Sequence, residues 1–336
     1  MAAQVPAATA GRHVEALQSG GKKGFWARYR LPYLYILPAS IILSIVTLYP
    51  IAYGVYLSFT DFRIKNLRGT TPDWVWFRNY ERIFKNELPL SNFNFWRIIG
   101  FNITWTITNV IFHVTFGIAV AVLLNRQRIL FRRFWRAIFV IPWAMPPLVV
   151  ATVWKNMFDT QFGAINLLLG SLGLPSDTRW LESTHPPIPF LPFLPLSYFA
   201  VLTTNVWLGW PFMMVVATGA LQSIPGDLYE AARVDGANRW RQFVDITLPL
   251  LRPAMVPAIM YGTILTFNQF NVIYFVTAGG PLGKTEILVT QAFKLVNPGG
   301  LYGVASAFSV LIFLILLVIT LGQNRVMRGL EGWSDA

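Results

Sequence analysis

The 336-residue chain has no cysteine, which excludes disulfides, thiol nucleophiles and cysteine-ligated metals. Charge is scarce as well: Asp, Glu, Lys and Arg make up 12% of the residues, about half the share usual in a soluble domain. Acid is scarcer than base, with 15 Asp and Glu against 27 Lys and Arg. None of those acids falls inside the long apolar runs. A carboxylate at membrane depth is the usual relay of an ion-driven carrier, so ion coupling is not expected. The three histidines, His13, His113 and His185, share no metal-ligand spacing. No metal and no other cofactor is expected.

What is present is hydrophobic: 54% of the residues, in runs each near the length that about 30 Å of hydrocarbon needs. The runs cover about residues 34–59, 98–124, 136–157, 199–221, 254–277 and 303–322, which predicts an all-α polytopic membrane protein with six transmembrane helices. Lys22, Lys23, Arg28 and Arg30 precede the first run, but it is too long for a cleaved signal and lacks a small-residue cleavage site. Residues 1–32 read as a cytoplasmic tail, disordered or interfacial, 33–323 as one transmembrane domain, and 324–336 as a second cytoplasmic tail.

The net charge of +12 lies beside the apolar runs rather than in a soluble patch, which favours a membrane surface over nucleic acid. Arg126, Arg128, Arg132, Arg133 and Arg136 crowd the second connection, Arg233, Arg239, Arg241 and Arg252 the fourth, and Arg325 and Arg328 follow the last run. These ends should face the cytoplasm, with both termini there. The segment from Asp61 to Trp96 is an exception, with six Lys and Arg on the expected outer side. In the second outer loop the prolines of His185–Pro195 forbid a regular helix.

A polar stretch, Ser223–Pro249, sits between two runs. Pro225 suits an early helix position, and Asp227 and Glu230 lie in the opening turns, where negative charge favours the helix dipole. Gly236 can adopt the left-handed conformation that stops the helix, and a second helix is expected from about Asn238 to Thr247. Glu230, Ala231 and Ala232, followed by Asp235 and Gly236, offer a small-residue face with a carboxylate, suited to a docking partner.

Inside the runs, aromatic and neutral polar residues gather: Trp143; Asn205, Trp207, Trp210 and Phe212; Thr263, Thr266, Asn268, Gln269 and Asn271. Rings stack on the C–H faces of a sugar and amides bond its hydroxyls, so the lining suits carbohydrate. Pro142, Pro146, Pro147 and Pro211 break helix hydrogen bonds at membrane depth, which is tolerated where a cavity is lined. His113 is expected to be hydrogen-bonded inside the bundle. Ala278–Thr285, AGGPLGKT, approaches a phosphate-binding loop but follows an apolar run rather than a strand, and reads as a Gly-Pro turn.

The pattern Glu230-Ala231-Ala232, Gly236, Ile246, Leu248 and Pro249 resembles the EAA motif of permease subunits of bacterial ATP-binding-cassette importers, in particular the carbohydrate group that includes maltose and maltodextrin permeases. The run Trp207–Met214 is similar to that group's pocket-bearing helix. The resemblance implies sugar contacts at Trp143, Asn205, Leu208, Gly209, Phe212, Thr266 and Gln269, and ATPase coupling through Glu230, Ala231, Ala232, Asp235 and Gly236. Pro147 and Gly262 stand where the enterobacterial maltose permease has hydroxyl residues, and that relative's two extra N-terminal spans and large outer domain have no counterpart here. The implied partners are two ATPase subunits, a second homologous permease and an external sugar-binding protein, in the bacterial inner membrane. The rival expectations are an autonomous secondary transporter or facilitator, a membrane-embedded glycosyltransferase and a membrane-anchored scaffold.

Overall fold

The computed structural model describes residues 25–126 and 129–331, with side-chain surroundings for 30–126 and 129–325; expectations for residues 1–24, for Arg128 and for the side chain of Arg328 lie outside that description, whereas 25–32 of the expected tail are helical. The described chain divides into two units, one ending at Tyr56 and one beginning at Leu57.

The first unit is a helix, α1 (Phe25–Leu43), which passes through a π turn at Ser44–Leu48 into α2 (Tyr49–Ser58). Pro50 explains the wide turn. Proline has no N–H to give and its ring crowds the carbonyl four residues back, and an extra residue in the turn relieves both faults. The same device recurs at Phe243–Thr247, which likewise ends two residues before a proline, Pro249.

The second unit begins with a structured segment rather than a loose loop. An isolated bridge joins Thr60 to Trp74, and α3 (Arg78–Phe84) is tied down by Asn79, whose amide donates to the carbonyls of Ser58 and Thr60 at 2.9 and 2.8 Å. On the solvent side of α3, Lys85 bonds Glu81 at 2.5 Å. That bond holds the Glu81 carboxyl below and the Lys85 ammonium above their ordinary ranges.

The long helices are α4 (Phe95–Leu124), α8 (Leu196–Ser223), α11 (Leu248–Phe267) and α14 (Tyr302–Glu331), with α5 (Arg132–Ala144), α6 (Pro147–Met157), α7 (Ala164–Ser171), α9 (Gly226–Val234), α10 (Arg239–Gln242), α12 (Phe270–Thr277) and α13 (Leu288–Val296) between them. No β-strand occurs among the described residues beyond the single bridge. Asn94 starts α4 by accepting from the Arg97 amide at 2.9 Å, an N-cap bond that satisfies one orphan donor. Helices α4 and α8 make the most extensive contact of the bundle. Gly117 permits it, because a Cβ there would lie 2.5 Å from Met213 Cβ and 2.8 Å from the Met214 backbone nitrogen.

Among the described residues five helical stretches are long and apolar enough to cross a membrane, and a sixth arises if α5 and α6 count as one. Those two meet at 92°, so the expected single helix over 136–157 is replaced by a sharp break. Met145 and Pro146 at the break are extended, as the two prolines that follow Met145 require. The last helix also runs past the expected span end at 322 to Glu331.

Three buried clusters stack along the bundle. One gathers Phe95, Ile98, Phe267, Leu288 and Phe308; the second Trp105, Val201, Val272 and Ile273; the third Ala121, Met213, Ala217, Leu251 and Met255.

Candidate functional site

A cavity of about 350 Å³ opens where the α5–α6 break faces α8 and the end of α11. Its wall is built from Trp143, Pro147, Asn205, Leu208, Gly209, Phe212, Thr266 and Gln269, together with His113, Met213, Gly262, Ile264, Leu265 and Asn268. All seven residues expected from the sequence as sugar contacts thus lie around one space, and Pro147 and Gly262 lie there too. Trp143 and Phe212 meet with ring centroids 5.8 Å apart, and Phe212 stands edge-on to Tyr261.

The polar side of the cavity is organised by α4. Asn102, Trp105, Asn109 and His113 recur every three to four residues and so share one face of that helix. At Asn268–Gln269 the helix from Leu248 ends and restarts at Phe270, leaving terminal carbonyls without helical donors. The Gln269 amide turns back to Thr266 O at 3.2 Å, and side chains from α4 complete the end: Trp105 Nε1 also donates to Thr266 O and Asn102 Nδ2 to Phe267 O, both at 3.1 Å. Asn102 Oδ1 also accepts from the Leu288 amide at 2.9 Å, so one side chain secures the ends of two other elements.

Asn205 is 2% exposed and lies between two amides. Its Nδ2 donates to Asn109 Oδ1 at 2.8 Å, and its Oδ1 accepts from Gln269 Nε2 at 2.9 Å. Asn109 Nδ2 in turn donates to Trp105 O at 2.7 Å. The relay fixes the Gln269 amide at the cavity wall. His113 is buried, as expected; its Nε2 bonds Asn205 O at 3.0 Å, and a carbonyl partner makes Nε2 the protonated nitrogen.

Other polar residues of these runs are used elsewhere. Trp207 packs edge-on against Trp154, Trp210 against Phe139, and Thr263 Oγ1 donates to Ile259 O while accepting from Gln323. His113 belongs to the cavity wall as well as to the bundle interior. The signal that could have placed it there is the polar stripe on α4, legible as Asn102, Asn109 and His113. Met213, Ile264 and Leu265 carried no such signal.

The Ala278–Thr285 run forms a tight turn around a buried carboxylate. Ala278, Gly279, Leu282 and Gly283 all have positive φ, and a Cβ on Gly279 would lie 2.1 Å from Glu286 Oε1. Glu286 is 2% exposed, paired with Lys294 and bonded by Thr290 Oγ1 at 2.5 Å. Lys284, the residue that would have to meet a phosphate, donates instead to Thr184 O at 3.1 Å.

The helix pair α9–α10 is closed by backbone geometry. Gly236 has φ 79°, its N–H donates to Arg233 O at 3.1 Å, and Ala237 N–H donates to Ala232 O at 2.8 Å, which is the Schellman pattern at a helix end. Asn238 then caps α10 by accepting from Arg241 N at 2.9 Å. Through the π turn α10 runs on into α11, so Pro249 lies within a continuous helical path rather than at a boundary. Glu230, Ala231, Asp235 and Gly236 are exposed and Ala232 is half-buried.

An all-helical membrane chain with a polar, uncharged cavity at two helix breaks belongs to the class of membrane transport proteins. The chain is a member of the family of binding-protein-dependent transport system inner membrane components, whose model matches residues 113–331. It is 34% identical over 299 residues to the trehalose/maltose transport system permease protein of Thermococcus litoralis, covering 89% of this chain and 94% of that one. It is 33% identical over 311 residues to the galactooligosaccharides transport system permease protein of Bacillus subtilis, covering 89% and 71%. In fold it is similar to the crystal structure of a bacterial ABC transporter involved in the import of the acidic polysaccharide alginate, with a TM-score of 0.71 at 23% identity over 90% of this chain and 96% of that one. The chain is accordingly a sugar permease component of an ABC importer, a transport protein of the inner membrane and not an enzyme.

Proposed function

We propose that this subunit carries a neutral sugar or oligosaccharide, of the maltose or maltodextrin kind, through the cavity around Gln269. The observation that carries the reading is the lining itself: amides, rings and apolar side chains, with no Asp, Glu, Lys or Arg among the described residues. An acidic saccharide needs cationic partners once it leaves water, whereas uncharged hydroxyls need only donors and acceptors in place. Trp143 and Phe212 would stack on the sugar, Asn205 and Gln269 would bond its hydroxyls, and Leu208, Gly209 and Thr266 would shape the floor.

ATP is hydrolysed elsewhere. Two ATPase subunits engage Glu230, Ala231, Ala232, Asp235 and Gly236, a second, homologous permease completes the passage, and an external sugar-binding protein delivers the substrate. The chain crosses six times, with both termini and the helix pair in the cytoplasm. Among the similar folds, an alginate transporter crystallised in complex with a pentasaccharide-bound periplasmic protein supports an external donor of this kind.

Reconstitution in liposomes tests the reading. The assembled complex should take up labelled neutral oligosaccharide only with ATP and the binding protein. Flux through this chain alone, flux driven by an ion gradient, or preference for an acidic oligosaccharide would each overturn it.

A further inference from the structure

A second and larger cavity, about 1190 Å³, lies between the end of α4, the end of α8 and the helix pair. Among the described residues three arginines line it, Arg126, Arg233 and Arg239, and no acidic residue does. Arg126 and Arg239 have no carboxylate within ion-pair distance among the described residues, and Arg233 reaches Glu230 only at 3.5 Å between two exposed side chains. Such a solvated pair leaves most of the positive potential in place.

The rest of the lining is not what a small anion would need. Val122 and Leu123 continue the apolar surface of the α4 span to the cavity edge, and Trp240, 71% exposed, stands at its mouth. Guanidinium groups match a phosphate diester, an apolar wall accepts glycerol and acyl carbons, and an indole belongs at the boundary between headgroups and hydrocarbon. We propose that this cavity holds the headgroup of an anionic phospholipid, with its first acyl carbons along Val122 and Leu123. The lipid would bridge the end of α4 and the helix pair. The face formed by Glu230, Ala231, Asp235 and Gly236 does not line the cavity and stays free for another partner. Tyr229 and Arg233, four residues apart on α9, turn toward the lipid, and Tyr229 Oη reaches Thr247 Oγ1 at 3.0 Å to hold that wall to the π turn.

Native mass spectrometry of the purified transporter complex, extracted from vesicles holding equal phosphatidylglycerol and phosphatidylcholine, tests this without reference to which sugar is carried. The wild-type complex should retain phosphatidylglycerol at least ten-fold over phosphatidylcholine. The R126Q/R239Q pair should lose that retention by about twenty-five-fold, since each arginine near an anionic surface contributes about five-fold. The R126K/R239K pair, which keeps charge but loses the bidentate fork, should fall between the two, separating lipid binding from failure to assemble. Equal retention by wild type and the glutamine pair would overturn the proposal, as would no preference for phosphatidylglycerol in the wild type. Displacement of the lipid by millimolar glycerol 3-phosphate would do so too, because the site would then belong to a soluble phosphate.

Discussion

Gly209 and His113 form a matched pair. A Cβ at position 209 would lie 2.3 Å from His113 Cε1 and 2.4 Å from Nε2, and the ring cannot swing away without leaving its bond to Asn205 O. Gly209→Ala should therefore destabilise the complex by about 1–3 kcal/mol, the usual cost of overpacking, and lower uptake. His113→Ala opens the space that the new methyl needs, so the double variant should regain thermal stability over Gly209→Ala alone. If the two losses simply add in thermal unfolding, the contact is not what position 209 serves. Gln269→Leu makes a different demand. It strands Asn205 Oδ1 in a buried site, a loss of about 1–3 kcal/mol, and removes an amide from the cavity. Apparent sugar affinity should weaken while the complex still assembles; an unchanged affinity would take Gln269 out of the sugar site.

Among the elements, the helix pair was the more legible part. Local signals govern it, with Gly236 at the stop and Asn238 at the restart, and local chemistry is what a sequence carries. The break at Asn268–Gln269 was not legible as a break, because neither glycine nor proline marks it. It is held by Asn102 and Trp105, distant in the chain, which satisfy the carbonyls that the break exposes. Leu208, Gly209 and Phe212 were expected at a pocket through the run Trp207–Met214 and line the cavity, yet Trp207 and Trp210 of that run pack on other helices, since composition reports a polar or aromatic face but not which neighbour it meets. Gly236 also provides the test at this scale. A Cβ there would touch nothing within 4 Å, so any penalty is one of backbone conformation and not of space. Gly236→Val should cost about 1–2 kcal/mol or more, whereas Gly236→Asn, which tolerates the left-handed region, should cost less. On the proposed role, the valine variant hydrolyses ATP without matching uptake; normal uptake per ATP would show that the turn does not transmit the stroke.

For the whole molecule, the number of crossings depends on one bend. If the 92° pair α5–α6 spans the membrane, the chain crosses six times and its ends share a side; if the pair re-enters, it crosses five times and they do not. Clustered arginines favour six, because Arg126 and Arg132 flank one end of the pair and Arg233, Arg239 and Arg241 lie in the helix pair, and the positive-inside rule places both groups in the cytoplasm only with an even number of crossings between them. The structured segment after Ser58 places six basic residues on the opposite side. They sit in a segment tied down by its own hydrogen bonds, yet its length is one to which the charge rule applies, so they count against six and are outweighed by the two arginine groups on the other side. The absence of cysteine makes the question accessible to single introduced thiols. Leu130 is 78% exposed just ahead of α5, and Val234 is 88% exposed at the end of α9. In sealed right-side-out vesicles a membrane-impermeant maleimide should leave both Leu130→Cys and Val234→Cys unlabelled until the vesicles are opened. Labelling of one of the two and not the other before opening would mean that only α8 crosses between them and that α5–α6 turns back, and the six-crossing arrangement would give way to five.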